Sequence, residues 1–361
     1  MLILRILGIA TGNRGILWHI NYHKCNLIYI HIDFMNDKSK RKPDIDVLKG
    51  IGIVLVMLGH QNLPIGHFIY SFHMPLFFLI SGYLYNKKEV KESLVKDFQR
   101  LIIPYFIGCI FVVSQDVFFA FLKHDISYIK KSILSIIWGC GYISDKVILG
   151  NMPSIGAIWF LLALFWCKNM YNIIEIKIVS TRQKLTIVLL IAVMAILIEK
   201  YFIKLPFSLL PGLSALPFFM LGTLCKNKHV SYSVMFIIII CWCISYIYSY
   251  VYVVSCDYGL YPIDILGSCG GAFCFYKIAK FISKIPFLNK FFIWLGMNTL
   301  SLLCFHAIPI NHALWVNLGI NNLYIIVLIK LCIPIAMTIA GYFLPFIRDL
   351  LFINKISCLK G

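Results

Sequence analysis

Apolar residues recur in long blocks along the whole chain, separated by short polar segments. Each block is long enough to cross about 30 Å of hydrocarbon as a helix. Runs such as Phe236 to Ile244 (FIIIICWCI) do not alternate apolar and polar residues, which argues against a β-barrel. We therefore predict an all-α membrane protein, a polytopic bundle of about ten transmembrane helices, near residues 47–62, 67–85, 101–122, 156–174, 185–202, 207–225, 232–254, 261–281, 291–312 and 323–347.

Basic residues in the connections predict the orientation of this bundle. The connections on one side carry 21 Lys and Arg residues, and those on the other side carry 6. Because positively charged connections stay in the cytoplasm, the chain is predicted to be N-in and C-in. It would be a multi-pass protein of the inner, cytoplasmic membrane. The one long connection, residues 123–155, falls on the outer side.

Composition supports the same class of protein. The chain has 361 residues, of which 60% are hydrophobic and 13% charged, whereas soluble domains have about 25% charged residues. The net charge of +18 lies mainly in short connections, so we predict a lipid bilayer as partner and no nucleic acid. The 13 cysteines fall mostly in apolar segments and predict neither a disulfide framework nor a metal site. The sequence does not determine whether the chain forms a homo-oligomer.

Residues 1–34 do not fit the pattern of the rest of the chain. They mix isolated charges and histidines with short apolar pieces, and no apolar core precedes a small-residue cleavage site. A signal peptide is therefore not predicted. We expect Met35 to be the natural start and residues 1–34 to be a non-native or disordered extension. Residues 35–361 would then form a single integral membrane domain.

Three histidines are predicted to lie at one depth. On the first helix, Lys49 and His60 share a face and stand roughly 16 Å apart along the axis, so Lys49 is near the inner surface and His60 in the outer half. Counting from the predicted ends of their own helices places His73 and His306 in the outer half as well. Asp46 lies three residues before Lys49, within reach of an ion pair.

Charged residues within the predicted membrane spans indicate that the inner and outer halves of the bundle differ in chemistry. Asp116 and Glu199 reach the outer half on other helices, while Arg100 lies near the inner surface like Lys49. A cationic inner end suits phosphate groups, and imidazoles exchange protons near neutral pH. A coenzyme A thioester, with phosphates at one end and a reactive group on a long arm, has the matching shape.

Each of these residues also has a structural interpretation. Lys49 and Arg100 can snorkel at the membrane surface, and any one histidine can bond a neighbouring carbonyl. Three histidines can also bind a metal, although no carboxylate or cysteine partner is placed by the sequence. Pro75 cannot donate a backbone hydrogen bond to the carbonyl of Ser71. This predicts a kink with a free acceptor beside His73.

Six segments, in order, resemble those of the acyltransferase 3 family of integral membrane acyltransferases, in its fucose 4-O-acetylase-like branch. The resemblance covers nearly all of residues 43–347. Lys49 and His60 match the basic residue and histidine of the first motif, whereas Ile158 stands where many relatives have a polar residue. The segments are DVLKGIGIVLVMLGH, FHMPLFFLISGYL, RLIIPY, WFLLALF, LPFFMLG and GMNTLSLLCFH.

The resemblance implies transfer of an acetyl or other acyl group from cytoplasmic acyl-CoA to a hydroxyl of a sugar, cell-surface polysaccharide or lipid-linked glycan. His60 would be the general base. Acyl-CoA would be bound by Lys49 and Arg100. Candidates for the acceptor site or for oxyanion stabilisation are His73, His306, Asn298 and Trp159. Structural or orienting candidates are Asp46, Pro75, Asp116 and Glu199.

Three alternatives remain open at this point. An acyl-histidine intermediate could replace direct transfer. A transporter or flippase of a glycan or small molecule would also have many helices and buried charges, although no inverted repeat is evident. A catalytically inactive relative could act as a sensor or scaffold, but it would not need Lys49, His60 and Arg100 together.

Overall fold

The computed structural model describes most of the chain beyond its N-terminal segment. The extension predicted for residues 1–34 and the predicted start at Met35 lie outside the described residues and stay predictions. Every element reported below belongs to residues 43–353. The described ranges are 42–61, 63–142, 150–226, 230–308, 319–320 and 322–353.

The first apolar block forms helix α1, Pro43–Gly59. Proline suits the first helical position, where no N–H donor is needed. Asp44 and Asp46 lie in the first turn, where carboxylates interact favourably with the helix dipole. The helix ends one residue before His60, so this histidine lies just beyond the last turn.

The second block is not one helix but two, α2 (Gly66–Tyr70) and α3 (His73–Tyr83). Between them, Phe72 leaves the helical conformation, with φ −149°. Pro75 deprives the carbonyl of Ser71 of a helical donor, and the hydroxyl of Ser268 donates to that carbonyl at 2.8 Å instead. The break was therefore predicted, but the free acceptor beside His73 was wrong, because a distant helix satisfies it.

The third block is part of a long helical rod, Val90–Leu122. It consists of α4 (Val90–Asp97), a π-helical segment (Phe98–Ile102) and α5 (Ile103–Leu122). Pro104 is the second residue of α5, and its missing N–H disturbs the hydrogen-bond ladder where the π-helical segment ends.

The predicted outer connection 123–155 contains a helix of its own, α6 (Ile126–Trp138). The carboxylate of Asp125 accepts a hydrogen bond from the Tyr128 N–H and caps its first turn. The hydroxyl of Tyr105 donates to the carbonyl of Ile136, which ties α6 to α5. Residues 126–138 of this connection are thus a helix packed on α5.

The middle of the chain supplies five further helices. A 3₁₀ turn, Gly156–Ile158, leads into the first of them. The sixth predicted span is again two short helices, because the chain breaks at Ala215. The helices are α7 (Trp159–Lys177), α8 (Thr181–Tyr201), α9 (Leu209–Ser214), α10 (Leu216–Cys225) and α11 (Tyr232–Tyr248).

A small hairpin follows α11, where the predicted helix would have continued to residue 254. Strands β1 (Val251–Tyr252) and β2 (Asp257–Tyr258) pair antiparallel, and α12 (Ile263–Ile282) comes next. The buried carboxylate of Asp264 accepts hydrogen bonds from the hydroxyls of Ser245 at 2.6 Å and Ser249 at 2.9 Å. Asp264 thereby fastens α11 to α12 at the base of the hairpin.

The ninth block is bent sharply. Helices α13 (Pro286–Met297) and α14 (Thr299–Phe305) meet at 68°. The hydroxyl of Thr299 donates to the carbonyl of Gly296 at 2.7 Å, so side chains satisfy backbone groups at the bend. The span predicted over 291–312 therefore does not begin as one straight helix, and the depth of His306, which was counted along such a helix, stays a prediction. Two helices complete the described chain, α15 (Leu323–Tyr342) and α16 (Pro345–Leu350).

The structure confirms an all-helical, multi-pass membrane protein. Within the described ranges, five helices are long and apolar enough to cross a membrane, or six if the bent pair is one span. Shorter apolar helices and broken pairs occupy the other predicted spans. The total of about ten spans and the N-in, C-in orientation stay predictions.

Glycines allow two pairs of helices to touch through their backbones. A Cβ atom on Gly50 of α1 would overlap the carbonyl oxygen of Phe292, and one on Gly296 would overlap that of Asp46. Gly82 of α3 and Gly222 of α10 make the same kind of reciprocal contact. In membranes such contacts between small residues replace the hydrophobic driving force that water would supply.

We predict that Gly50→Ala destabilises the protein by about 1–3 kcal/mol, because the carbonyl of Phe292 cannot move without separating α1 from α13. Thermal unfolding of the detergent-purified chain measures this. Gly66→Ala is the matched control, since a Cβ atom there meets nothing within 4 Å. Equal stabilities of the two variants would contradict the backbone contact.

Candidate active site

Three histidines come together at the ends of three helices. His60 follows α1, His73 opens α3 and His306 follows α14. The ring centroids of His60 and His306 are 5.5 Å apart. Tyr70 joins the third histidine to them, with its ring 6.4 Å from His60 and 4.9 Å from His73. These four side chains are called the histidine cluster below.

Hydrogen bonds determine which ring nitrogens carry protons. Nδ1 of His73 lies 2.9 Å from the carbonyl oxygen of Ile69, and Nδ1 of His306 lies 2.7 Å from that of Leu303. A carbonyl only accepts, so both Nδ1 atoms are N–H donors. In the neutral rings, Nε2 is then a bare acceptor. Neutral His73 and His306 can accept from a hydroxyl through Nε2, but they cannot donate from it to an oxyanion.

The ring of His306 carries a fully buried nitrogen. Its side chain is only 3% exposed, and its Nε2 has no hydrogen-bond partner among the residues that the structure describes. Leaving such an acceptor unpaired costs free energy. A buried acceptor beside His60 is therefore available to a hydroxyl group of a ligand.

The backbone contact between α1 and α13 positions His60 and His306. His60 lies 10 residues after Gly50, and His306 lies 10 residues after Gly296. The segments 50–60 and 296–306 thus both begin at the glycine contact and both end at the pair of histidine rings. The bend at Asn298 directs the second segment, and the side-chain amide of Asn298 donates to the Trp294 carbonyl at 2.9 Å. Asn298 was predicted at the acceptor site, but this hydrogen bond supports the bend.

Tyr70 was not predicted from the sequence. Its ring lies between those of His60 and His73, and 5.9 Å from the ring of Tyr252 in the hairpin. Tyrosines in such a chain are generally explained as membrane-interface residues. The spacing Tyr70-x-x-His73 is one helical turn and could have indicated the contact, whereas the approach of Tyr252 depends on the fold.

Trp159 packs against the connection between α6 and α7 rather than on the histidine rings. It is the first residue of α7 and 4% exposed. A Cβ atom on Gly141 would overlap the indole ring and the side chain of Val254. Within the described chain, the ring contact of Trp159 is with Phe160. Its predicted role at the acceptor site gains no support from these contacts.

The basic candidates lie on other parts of the helices. Nζ of Lys49 is 3.1 Å from Oδ1 of Asp46, so the expected ion pair is present. Arg100 lies in the π-helical segment, beside Asp97. Asp97 is buried and forms an ion pair with Lys168 at 2.5 Å. Lys49 is eleven residues before His60 on the same chain segment, away from the histidine cluster.

The two candidate carboxylates do not join the histidine cluster. Glu199 is buried, accepts from the Tyr142 hydroxyl at 3.0 Å and lies 3.8 Å from Nζ of Lys204. Burial lowers the pKa of the Lys204 ammonium, and Glu199 opposes that shift. Asp116 is half-buried on α5. His60 has no carboxylate partner in the part of the chain described.

A metal site is the other structure that three histidines can form. Across the described ranges, no group of three or more His, Cys, Asp or Glu side chains is arranged to hold a metal ion. The histidine cluster contains imidazole nitrogens and a phenol. These groups suit proton transfer and the binding of hydroxyl groups.

Comparison with known proteins identifies the family. The model of the family described as "Acyltransferase domain" matches residues 42–346, which include all three histidines. Nodulation protein NolL from Mesorhizobium japonicum (strain LMG 29417 / CECT 9101 / MAFF 303099) is 28% identical over 204 residues. That match covers 52% of this chain and 48% of the relative, about half its length.

No solved structure matches the chain. The family model nevertheless extends from the start of α1 into α16 and covers far more than half of the sequence. It therefore agrees with the resemblance of the six sequence segments and favours acyl transfer over transport. The chain belongs to this acyltransferase family.

Proposed function

We propose that the chain transfers an acyl group, acetyl in the first instance, from acyl-CoA to a hydroxyl of a sugar. The acceptor would be a cell-surface polysaccharide or a lipid-linked glycan, and the enzyme would lie in the cytoplasmic membrane. The observation that carries this proposal is the ring contact of His60 with His306, whose buried Nε2 has no hydrogen-bond partner among the described residues. Family membership supports the reaction class.

His60 acts as the general base. Its ring removes the proton of the acceptor hydroxyl while that oxygen attacks the thioester carbonyl. A carbon–oxygen bond forms, the carbon–sulfur bond breaks, and the departing thiolate of CoA receives the proton from the imidazolium. Within the described residues neither ring nitrogen of His60 is held by a hydrogen bond, so both are available for this transfer.

His306 and His73 bind the acceptor rather than the oxyanion. Their Nδ1 protons are committed to backbone carbonyls, which leaves each Nε2 as an acceptor. A sugar offers several adjacent hydroxyl donors, so one hydroxyl can react at His60 while a neighbour bonds His306. This arrangement supports a polyol acceptor over a lone alcohol. Lys49 and Arg100 are retained as proposed contacts of the donor at the inner end.

Transport is the second candidate function, favoured by one observation. The 68° break between α13 and α14 resembles the discontinuous helices of transporters. Release of CoA separates the two functions, since a transporter or flippase needs no thioester. Movement of a glycan by the purified protein without CoA release would favour transport.

We predict that His60→Ala lowers kcat about 10²–10⁴-fold, the usual contribution of a general base. CoA release by the purified protein, with acetyl-CoA and a sugar acceptor, measures it. His67→Ala is the control, because His67 is an exposed histidine on α2 outside the histidine cluster. In cells, glycan mass spectrometry of a deletion strain and a His60→Ala strain should show loss of the same acetyl group. Normal O-acetylation by His60→Ala would refute the general-base assignment.

We predict that His306→Phe raises KM for the acceptor by about tenfold, the size of one lost hydrogen bond to a buried group. KM for acetyl-CoA should change by less than about twofold, because the donor does not contact Nε2. Steady-state kinetics with each substrate varied in turn provides both values. An effect confined to the donor would assign His306 to the other substrate.

We predict no covalent acyl-enzyme. Purified protein given radiolabelled acetyl-CoA without acceptor should retain no label after denaturation, since the acceptor oxygen itself attacks the thioester. Retained label that His60→Ala abolishes would instead establish an acyl-histidine intermediate.

A further inference from the structure

A second site lies at the far end of α3 from the histidine cluster. There, a cavity of about 330 Å³ opens between the connections that follow α3, α7 and α10. Its walls include Lys87, Lys184 and Lys226, one from each connection or the helix start beside it. The positive-inside rule assigns all three connections to the cytoplasmic side. The fold thus gathers lysines that the sequence places far apart.

The cavity carries net positive charge. Glu175 is the acidic residue among its lining residues, and its carboxylate lies 2.8 Å from Nζ of Lys184. Lys226 donates to the Tyr85 carbonyl and to Oδ1 of Asn86, each at 2.6 Å. An ammonium group has three donors, so one of its protons stays available. Lys87 is exposed at the rim.

A buried asparagine fixes the wall that carries Lys87. Asn172 of α7 is 1% exposed and accepts from the Tyr85 hydroxyl at 2.5 Å and from the Lys88 N–H at 3.2 Å. Its amide donates to the Lys88 carbonyl at 2.9 Å. These bonds hold residues 85–88 against α7. The wall is therefore preorganised, which reduces the entropy lost when a ligand binds.

We propose that this cavity binds the terminal phosphate monoester of the acyl-CoA donor, the 3′-phosphate of its nucleotide. The proposal rests on the proposed function, which makes acyl-CoA the donor. Three lysines and one glutamate give the lining a net charge of two, which matches the charge of about −1.5 to −2 on a phosphate monoester. Lys49 and Arg100 do not line the cavity, so their proposed contacts are with other parts of the donor.

Size and distance agree with binding of one end of the donor. Ligand pockets usually measure about 300–1,000 Å³, so this cavity accommodates a phosphate and part of a nucleotide rather than all of CoA. The 11 residues of α3 separate it from His73, a distance of roughly 16 Å. The long, thin arm of CoA would cover that distance to the histidine cluster.

Steady-state kinetics of the full chain in nanodiscs tests the proposal, with acetyl-CoA and 3′-dephospho-acetyl-CoA as alternative donors. Lys87→Glu should raise KM for acetyl-CoA about tenfold without changing kcat, because it removes a charged contact and adds repulsion. KM for 3′-dephospho-acetyl-CoA should be the same in the wild-type protein and in Lys87→Glu. Lys91→Glu is the matched control, since Lys91 is exposed nearby on α4 and does not line the cavity.

Three outcomes would overturn or separate the proposals. Unchanged KM for acetyl-CoA in both Lys87→Glu and Lys226→Gln would overturn the phosphate site. Stimulation of the wild-type enzyme by phosphatidic acid in the nanodisc, lost in Lys87→Glu while KM for acetyl-CoA stays constant, would assign the cavity to a lipid phosphate instead. The third outcome is a wild-type protein that binds CoA in calorimetry but transfers no acyl group. If Lys87→Glu weakens that binding, the result would support the phosphate site and contradict the proposed function.

Discussion

The backbone contact between Gly50 and Gly296 fixes the two chain segments that carry His60 and His306. With no side chain at either position, α1 and α13 approach until peptide groups touch. A contact of this kind has little freedom to slide, because the opposing atoms are backbone rather than flexible side chains. The imidazoles that follow on each chain segment are therefore positioned by a rigid scaffold, although both lie at helix ends.

The same segments show how a membrane protein tolerates broken helices. A break frees carbonyl groups that lipid cannot satisfy, so each needs a protein donor. The hydroxyl of Ser268 donates to the Ser71 carbonyl, which the first break leaves without a helical donor. At the second break, the side-chain amide of Asn298 donates to the Trp294 carbonyl in addition to the backbone N–H of the same residue. Because these donors are buried, the breaks lie inside the protein and adjoin the histidine cluster. The non-helical residues at the two breaks therefore lie next to His60, His73 and His306 inside the protein.

Local sequence patterns predicted the structural features that are determined by residues close together in the chain. Hydrophobic blocks indicated the helices, the spacing of three residues indicated the Asp46–Lys49 pair, and Pro75 indicated the break before α3. The bend at Asn298, the hairpin and the place of Tyr70 arise from contacts between segments distant in sequence. Glu199 illustrates the limit most clearly, because its predicted depth matched that predicted for His60, while the fold pairs its carboxylate with Tyr142 and Lys204. Depth along the membrane normal does not define position around the bundle.

Nε2 of His306, which no group in the described part of the chain satisfies, also affects selectivity. An acceptor nitrogen that is buried without a partner favours no ligand by attraction alone, but it penalises every ligand that leaves it unpaired. Sites that require a hydroxyl can reject analogues lacking it by as much as about 10⁴–10⁵. In an acyltransferase for sugars, a ring already methylated or acetylated at the neighbouring position would be excluded. One histidine would then limit modification to a single position on each sugar unit.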